Sequence, residues 1–164
     1  MKFAKVVLST LSVAVLGIVM LGLVSAPAQA ATATTTFAVT ATVQATCSVT
    51  ATPMAFGTYI PTAASTSTST VSVTCTNGTP ATFLLNAGTA SGATVTNRSM
   101  VNGAVLLGYG LYSDAAHTAN FGATATAVNG TGSAVVTTVY GQVPAGQYVA
   151  PNTYTDTITA TVSY

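Results

Sequence analysis

Few residues of this 164-residue chain could do acid–base chemistry. Asp114 and His117 lie three positions apart, and with a serine they would supply the groups of a hydrolytic triad. Such a triad needs a buried acid and a nucleophile on a sharp turn, and the sequence contains no Gly-x-Ser-x-Gly. Both residues fall within the polar stretch from Ser113 to Asn120. We therefore predict a solvated loop there and no enzymatic activity.

The scarcity of charge excludes further classes of function. The sequence has 3 Lys or Arg and 2 Asp or Glu, and after residue 30 only Arg98, Asp114 and Asp156 are charged. Nucleic-acid binding is excluded because neutralising phosphates needs clustered Lys and Arg. From residue 31 on, 42 of 134 residues are Thr or Ser, so hydroxyl groups supply the solubility that charges usually supply. This composition predicts an extracellular β-protein without a cofactor.

Cys47 and Cys75 are the only cysteines. A metal site would need more ligands than these two and the single histidine provide. A redox site would favour Cys-x-x-Cys, which is absent. In an exported chain two cysteines predict one structural disulfide, and closing this 29-residue loop would stabilise the fold by about 3.5 kcal/mol. We expect that disulfide and no metal site.

Residues 1–30 have the three parts of a secretory signal peptide. Lys2 and Lys5 form the positive start, an apolar stretch follows, and Ala28-Gln29-Ala30 is a small-x-small cleavage site. The competing interpretation is an uncleaved membrane anchor, because the apolar stretch is nearly long enough to span a bilayer. The Ala-Gln-Ala site favours cleavage between Ala30 and Ala31. We therefore expect export through the periplasm to the cell surface.

The elements that must position these residues are strands, because the dominant signal after residue 30 is period-two alternation. Asn102-Gly103 predicts a hairpin turn, and Pro61–Thr70, which has no apolar anchor, predicts a loop. Seven or eight short strands in one small exported domain predict an all-β, immunoglobulin-like sandwich, with a jelly roll or small barrel as the alternative. The predicted strands are Phe37–Val49, Thr70–Thr76, Ala81–Asn86, Thr94–Val101, Val105–Leu111, Thr131–Val143 and Tyr154–Tyr164.

Both cysteines lie on the apolar face of their own predicted strand, as a disulfide between neighbouring strands requires. Asp156 also shares an apolar face, with Tyr154 and Ile158 in the last predicted strand. A carboxylate on such a face needs polar partners. We expect Asp156 to accept hydrogen bonds from turn amides or to pair with Arg98.

A series of short motifs runs through nearly the whole chain after residue 30, and their order and spacing are more specific than any one of them. With these motifs the chain resembles the spore coat protein U domain family, that of archaic chaperone–usher pilins and related surface-coat proteins. The motifs are Cys47, Phe56-Gly57-x-Tyr59, Val71-x-Val73-x-Cys75-Thr76, Arg98-x-Met100, Tyr109-x-Leu111-Tyr112-x-Asp114, Phe121-Gly122, Val139-Tyr140-Gly141-Gln142-Val143-Pro144 and Tyr154-x-Asp156-Thr157-Ile158.

The resemblance implies an immunoglobulin-like domain that lacks its last strand and is completed by a donor strand from a neighbouring subunit. It also implies three partners: a periplasmic chaperone, an outer-membrane usher, and neighbouring copies of the same or a related subunit. We expect residues 1–30 to be the signal peptide, residues 31–46 the N-terminal donor strand, and residues 47–164 the pilin domain. The expected donor-strand anchors are Phe37, Val39, Ala41 and Val43.

Two functions from different classes fit this interpretation. The chain is either a structural subunit that polymerises into a surface fibre or coat, supporting attachment and biofilm formation, or an adhesive tip domain that binds a ligand. Tip subunits usually carry an additional receptor-binding domain and do not need a donor strand. The single predicted domain and the alternating extension at residues 31–46 favour the polymerising subunit.

Overall fold

The computed structural model describes residues 28–164. Most of the predicted signal peptide, residues 1–27, lies outside the described residues, and cleavage after Ala30 stays a prediction. Residues 28–164 contain no helix that is long and apolar enough to cross a membrane. Residues 28–40 have no regular secondary structure. The strands all belong to the compact unit formed by residues 41–164.

Eight strands are present in the described part of the chain, and all their pairings are antiparallel. A five-stranded sheet has the order β1-β2-β7-β5-β4, and a three-stranded sheet has the order β6-β3-β8. The strands are β1 (Cys47–Ala51), β2 (Ser65–Cys75), β3 (Pro80–Leu85), β4 (Arg98–Asn102), β5 (Val105–Tyr112), β6 (Thr126–Asn129), β7 (Ala134–Val143) and β8 (Ala160–Ser163).

The core lies where alternate side chains of the strands are buried. On β2, Val71, Val73 and Cys75 are buried while the residues between them are partly exposed, as expected for a strand with one face against the core. Both sheets contribute to one cluster of buried apolar side chains, so the predicted all-β sandwich is confirmed. The cluster is Val71, Val73, Cys75, Ala81, Phe83, Leu85, Leu107, Tyr109, Leu111, Phe121, Val128, Val139 and Val143.

Two local predictions are confirmed. Cys47 and Cys75 lie directly opposite each other on β1 and β2, with a Cα–Cα distance of 4.1 Å, and form a disulfide. Asn102 pairs with Val105 across the hairpin that joins β4 and β5. Gly103 in that turn has φ +56°, a backbone conformation that glycine adopts without a steric penalty.

The prediction of a loop from Pro61 to Thr70 is wrong, because β2 begins at Ser65. Its first five residues pair with β7 from Val139 to Val143. This Ser/Thr segment has no apolar anchor of its own, but the backbone of the long strand β7 supplies a pairing partner. Threonine also favours strands intrinsically.

The predicted first and last strands are too long. Regular structure begins at Cys47 instead of Phe37, and β8 covers only Ala160–Ser163 of the predicted Tyr154–Tyr164. The short strand β6 was not predicted. Period-two alternation identifies residues that suit a strand, but a strand forms only where another strand supplies hydrogen bonds. Within residues 28–164, residues 37–45 belong to no strand pairing, whereas the Thr46 carbonyl accepts from the Thr76 N–H at 2.9 Å just beyond β2.

Candidate functional site

An apolar groove opens between the two sheets. The strands β1 and β8 each lie at the end of their sheet and have a strand partner on one side only. Two segments line a cavity of about 440 Å³. The first wall is residues 51–56, from the last residue of β1 onward, and the second wall is residues 154–160, up to the first residue of β8. The apolar lining of the cavity includes Met54, Phe56, Leu111, Val139, Tyr154 and Ile158.

The first wall of the groove packs onto a glycine. A Cβ atom on Gly141 of β7 would collide with the sulfur of Met54 and come within 2.9 Å of the Phe56 ring. Any larger residue at position 141 would therefore push Met54 and Phe56 away from β7. The Phe56 ring also meets Tyr109 edge to face, with 6.0 Å between ring centroids, an arrangement that aromatic pairs favour.

The second wall is fixed from the side away from the groove. Thr155 exchanges two backbone hydrogen bonds with Val101 of β4, of 2.8 and 3.1 Å. The backbone N–H of Asn86 donates to the Thr159 carbonyl at 3.0 Å, and the Thr159 N–H donates to the Asn86 side-chain oxygen at 2.9 Å. The segment from 155 to 159 thus crosses from the β4 edge to the sheet of β3 and β8, and is held at both ends.

Among residues 28–164, Asp156 is the only charged side chain that lines the groove. Its Oδ1 accepts hydrogen bonds from the N–H and hydroxyl of Thr89, at 2.7 and 2.8 Å, and its Oδ2 accepts one from the Tyr109 hydroxyl at 2.7 Å. The expected acceptance from loop amides is confirmed, and the alternative pairing with Arg98 is wrong. The carboxylate joins the groove wall to the loop after β3.

These bonds shift the pKa values of both partners. Partial burial alone raises the pKa of Asp156, but hydrogen bonds from Tyr109 and Thr89 stabilise the carboxylate, so its pKa lies below the usual value. Burial, followed by the hydrogen bond to Asp156, raises the pKa of the Tyr109 hydroxyl far above its usual value. The pair is therefore an ionised carboxylate and a neutral phenol over the physiological range.

Arg98 is fully buried at the start of β4 and donates only to backbone carbonyls. Its Nε and Nη2 reach the Asn86 carbonyl at 3.0 and 2.8 Å, and Nη2 also reaches the Phe121 carbonyl at 2.9 Å. Burial lowers the pKa of the guanidinium, an effect opposed by Tyr109 and Asp156. Arg98 connects the loop after β3 to the loop after β5, behind the groove.

The other predicted motif residues lie apart from the groove. Tyr59, whose motif neighbour Gly57 has φ +68°, donates to the Pro144 carbonyl at 2.8 Å and accepts from the Gln147 N–H at 3.1 Å. Tyr112 of β5 and Tyr140 of β7 are directly paired in the five-stranded sheet. These residues stabilise the scaffold.

Asp114 lies in the predicted loop, where its carboxylate accepts from the N–H groups of Thr118 and Ala119. The bond from Ala119 is the main reason that the pKa of Asp114 lies below its usual value. His117 stacks edge to face on Tyr112. In residues 28–164, no three His, Cys, Asp or Glu side chains are grouped so that they could hold a metal ion.

Sequence reasoning missed two residues that hold the second wall of the groove, Asn86 and Thr89, and one that stabilises the scaffold away from it, Gln147. The side-chain amide of Gln147 accepts from the Gly108 N–H at 2.7 Å and donates to the Gly108 carbonyl at 2.9 Å, as a neighbouring strand would. Asn86 and Thr89 anchor the second wall. No local signal marks any of them, because their partners lie 39 to 73 positions away.

The predicted donor-strand anchors lie in a segment without regular structure. Phe37, Val39 and Val43 are 83, 84 and 80% exposed, and Ala41 is exposed as well. Large apolar side chains at such exposure are costly in water and mark an interaction site or an aggregation hazard.

Comparisons with known proteins agree with this fold. A family model described as Spore Coat Protein U domain matches residues 33–161. Among solved structures, the fold is similar to a chain in the crystal structure of the CsuC–CsuE chaperone–tip adhesion subunit pre-assembly complex from archaic chaperone–usher Csu pili of Acinetobacter baumannii. The TM-score is 0.58 at 21% sequence identity, and the match covers 75% of this chain and 40% of that chain. No curated protein matched the sequence.

Proposed function

Because this chain belongs to the spore coat protein U domain family, we propose that it is a structural subunit of a surface fibre assembled along the chaperone–usher route. The observation that carries the proposal is the open apolar groove lined by residues 51–56 and 154–160, next to the ends of β1 and β8. A sandwich that exposes an apolar groove beside two unpaired strand edges is a template for strand addition.

The proposed occupant of the groove is a donor strand from a neighbouring subunit. Residues 33–45 of this chain have the required pattern, with Phe37, Val39 and Val43 on one face and threonines on the other. Backbone hydrogen bonds to both groove walls would supply affinity, and the alternate apolar side chains would set the register. The same segment is highly exposed within its own chain.

This assembly scheme requires partners at each stage. A periplasmic chaperone would cover the groove before assembly, an outer-membrane usher would place each subunit, and the next copy of the same or a related subunit would provide the donor strand. The proposed location is the cell surface, reached through the periplasm after removal of the signal peptide. Attachment and biofilm formation are the proposed roles of the finished fibre.

Two alternatives are each favoured by one observation. The family description favours a spore or cell-surface coat protein. The structural similarity to a chain from a chaperone–tip adhesion subunit complex favours a ligand-binding tip domain. Immunogold labelling of surface fibres separates them: a fibre subunit labels along the length, a tip domain labels one end, and a coat protein labels a continuous layer.

The proposed donor strand is tested by placing charge on its apolar face. In the double variant Val39→Asp, Val43→Asp, each carboxylate would have to enter an apolar groove, at a cost of several kcal/mol. We expect export and chaperone binding to persist while fibres and SDS-resistant ladders disappear. Thr40→Asp, Thr42→Asp is the matched control, because these side chains would point away from the groove and fibres should form. Normal fibres from the Val39, Val43 variant would contradict donor-strand exchange through this segment.

A further inference from the structure

The outer surface of β2 and its neighbour β1, at one side of the five-stranded sheet, carries many hydroxyl groups. On β2 the residues Val71, Val73 and Cys75 face the core, so the even-numbered residues from Thr66 to Thr74 face outward. These five residues, together with Ser48 and Thr50 of β1 and Thr138 of β7, are called the hydroxyl face.

The strand register brings the hydroxyl groups into rows across the sheet. Ser48 lies opposite Thr74, and Thr50 lies opposite Ser72. On the other side of β2, Thr70 lies opposite Thr138. Neighbouring strands are about 4.8 Å apart and residues on one face repeat every 6.7 Å or so. Each of the eight hydroxyl groups of the face can both donate and accept a hydrogen bond.

The hydroxyl face carries no charge. In the part of the chain that the structure describes, the Asp, Glu, Lys and Arg side chains are Arg98, Asp114 and Asp156, and none lies on β1, β2 or β7. Val136 of β7, paired with Ser72 near the Thr74 end of the face, adds an apolar side chain that is 61% exposed. Two copies of this surface could therefore meet without like-charge repulsion or the desolvation of an ion.

We propose that the hydroxyl face is a lateral contact between fibres, in which it packs against the hydroxyl face of a second copy of this chain. The array is self-complementary because each hydroxyl group can both donate and accept a hydrogen bond. This inference rests on the proposed fibre.

The size of the face explains why the contact needs a polymer. From the strand spacings, the three strands offer about 400 Å² per copy, against roughly 800 Å² per partner in a stable complex. One pair of subunits would associate weakly. Along two aligned fibres the contact repeats at each subunit, and the many weak contacts act together. We therefore expect monomeric subunits to stay separate and assembled fibres to bundle.

The test is Thr68→Lys, which places a positive charge on the hydroxyl face, with Thr82→Lys as the matched control. Both threonines are exposed in strands, but Thr82 lies on β3 in the other sheet. At about 0.05 M salt, fibres of the unaltered chain and of Thr82→Lys should form bundles in negative-stain micrographs. Fibres of Thr68→Lys should remain single, with the same SDS-resistant ladders. Thr50→Lys on β1 should reproduce the effect of Thr68→Lys.

Salt separates charge repulsion from misfolding. At about 0.5 M salt the added lysines are screened, so bundles of the Thr68→Lys fibres should return, while bundles of the unaltered chain should persist at both salt concentrations. Bundling of Thr68→Lys at low salt, loss of bundling in Thr82→Lys, or single fibres from the unaltered chain would overturn the lateral contact. An absence of SDS-resistant ladders from the unaltered chain would overturn the proposed fibre itself, and the contact with it.

Discussion

At the scale of single residues, the unusual feature is a buried cation with no carboxylate in contact. The side chain of Arg98 is 0% exposed and distributes its donors over the carbonyls of Leu85, Asn86, Val95 and Phe121. An arginine suits this role because its planar guanidinium presents five donors in a fixed geometry. The Arg98 side chain supplies hydrogen bonds to carbonyls that no neighbouring strand reaches, in the loops behind the groove.

Arg98→Met should therefore destabilise the domain strongly. The substitution removes the donors and leaves several buried carbonyls unsatisfied, with an expected loss of about 3–5 kcal/mol in the free energy of unfolding. Arg98→Lys keeps the charge but cannot reach several carbonyls at once, so it should also destabilise. Urea denaturation of the purified subunit measures both, with the exposed Thr96→Ala as control. A loss below about 1 kcal/mol for Arg98→Met would contradict this role.

At the scale of elements, β1 is an edge strand that is hydrogen-bonded to one neighbouring strand. β1 has only five residues, it lies at the sheet end, and it pairs with β2 alone. The Cys47–Cys75 disulfide joins β1 to β2 at the end nearest the exposed segment. The disulfide therefore fixes the first residue of an edge strand whose last residue, Ala51, begins one wall of the groove.

Replacing both cysteines by serine should lower the free energy of unfolding by about 3.5 kcal/mol, because the unfolded chain gains the freedom of an open loop. Reduced periplasmic yield should accompany the loss. Denaturation curves of the double variant and of the unaltered chain give the difference, and Ser48→Ala, on the exposed face of the same strand, is the control. A double variant as stable as the unaltered chain would show that the backbone pairing of β1 suffices.

At the scale of the whole molecule, the low charge content governs how stability responds to pH. The described residues contain two side-chain carboxylates, those of Asp114 and Asp156, and the pKa of each lies below its usual value. A lowered pKa in the folded state gives stability that is present above the unfolded-state value and is lost as the pH falls through the folded value. For Tyr109, whose pKa is raised, the contribution is present below the unfolded-state pKa and is lost above it.

We therefore expect stability to decline below about pH 4, where unfolded-state aspartates take up protons, and above about pH 10, where unfolded-state tyrosines ionise. Thermal melts of the purified subunit across that range measure both limits. The variant Asp156→Asn should lose part of the acid response, whereas Thr96→Ala should keep it. An acid transition unchanged in Asp156→Asn would show that the carboxylate does not contribute.

Much of this protein follows from its sequence alone. The threonine-rich period-two pattern, the near absence of charge, the paired cysteines and Asn102-Gly103 predict an exported β-sandwich with one disulfide and a hairpin at that turn. The resemblance of its motifs to one family is supported by the match over residues 33–161. These features are local, because the composition, the face of each strand and the turn type depend on residues close together in the chain.

Only the tertiary structure decided which strands pair and which edges stay open. Residues 65–69 became part of β2 because β7 lies alongside, while residues 37–45, with the stronger pattern, have no strand partner within residues 28–164. The hydrogen-bond donors to Asp156 are likewise distant in sequence, since Thr89 and Tyr109 lie 67 and 47 positions away. Periodicity reports which face of a strand suits the core, but hydrogen-bond partners far along the chain determine whether the strand forms and where a groove remains.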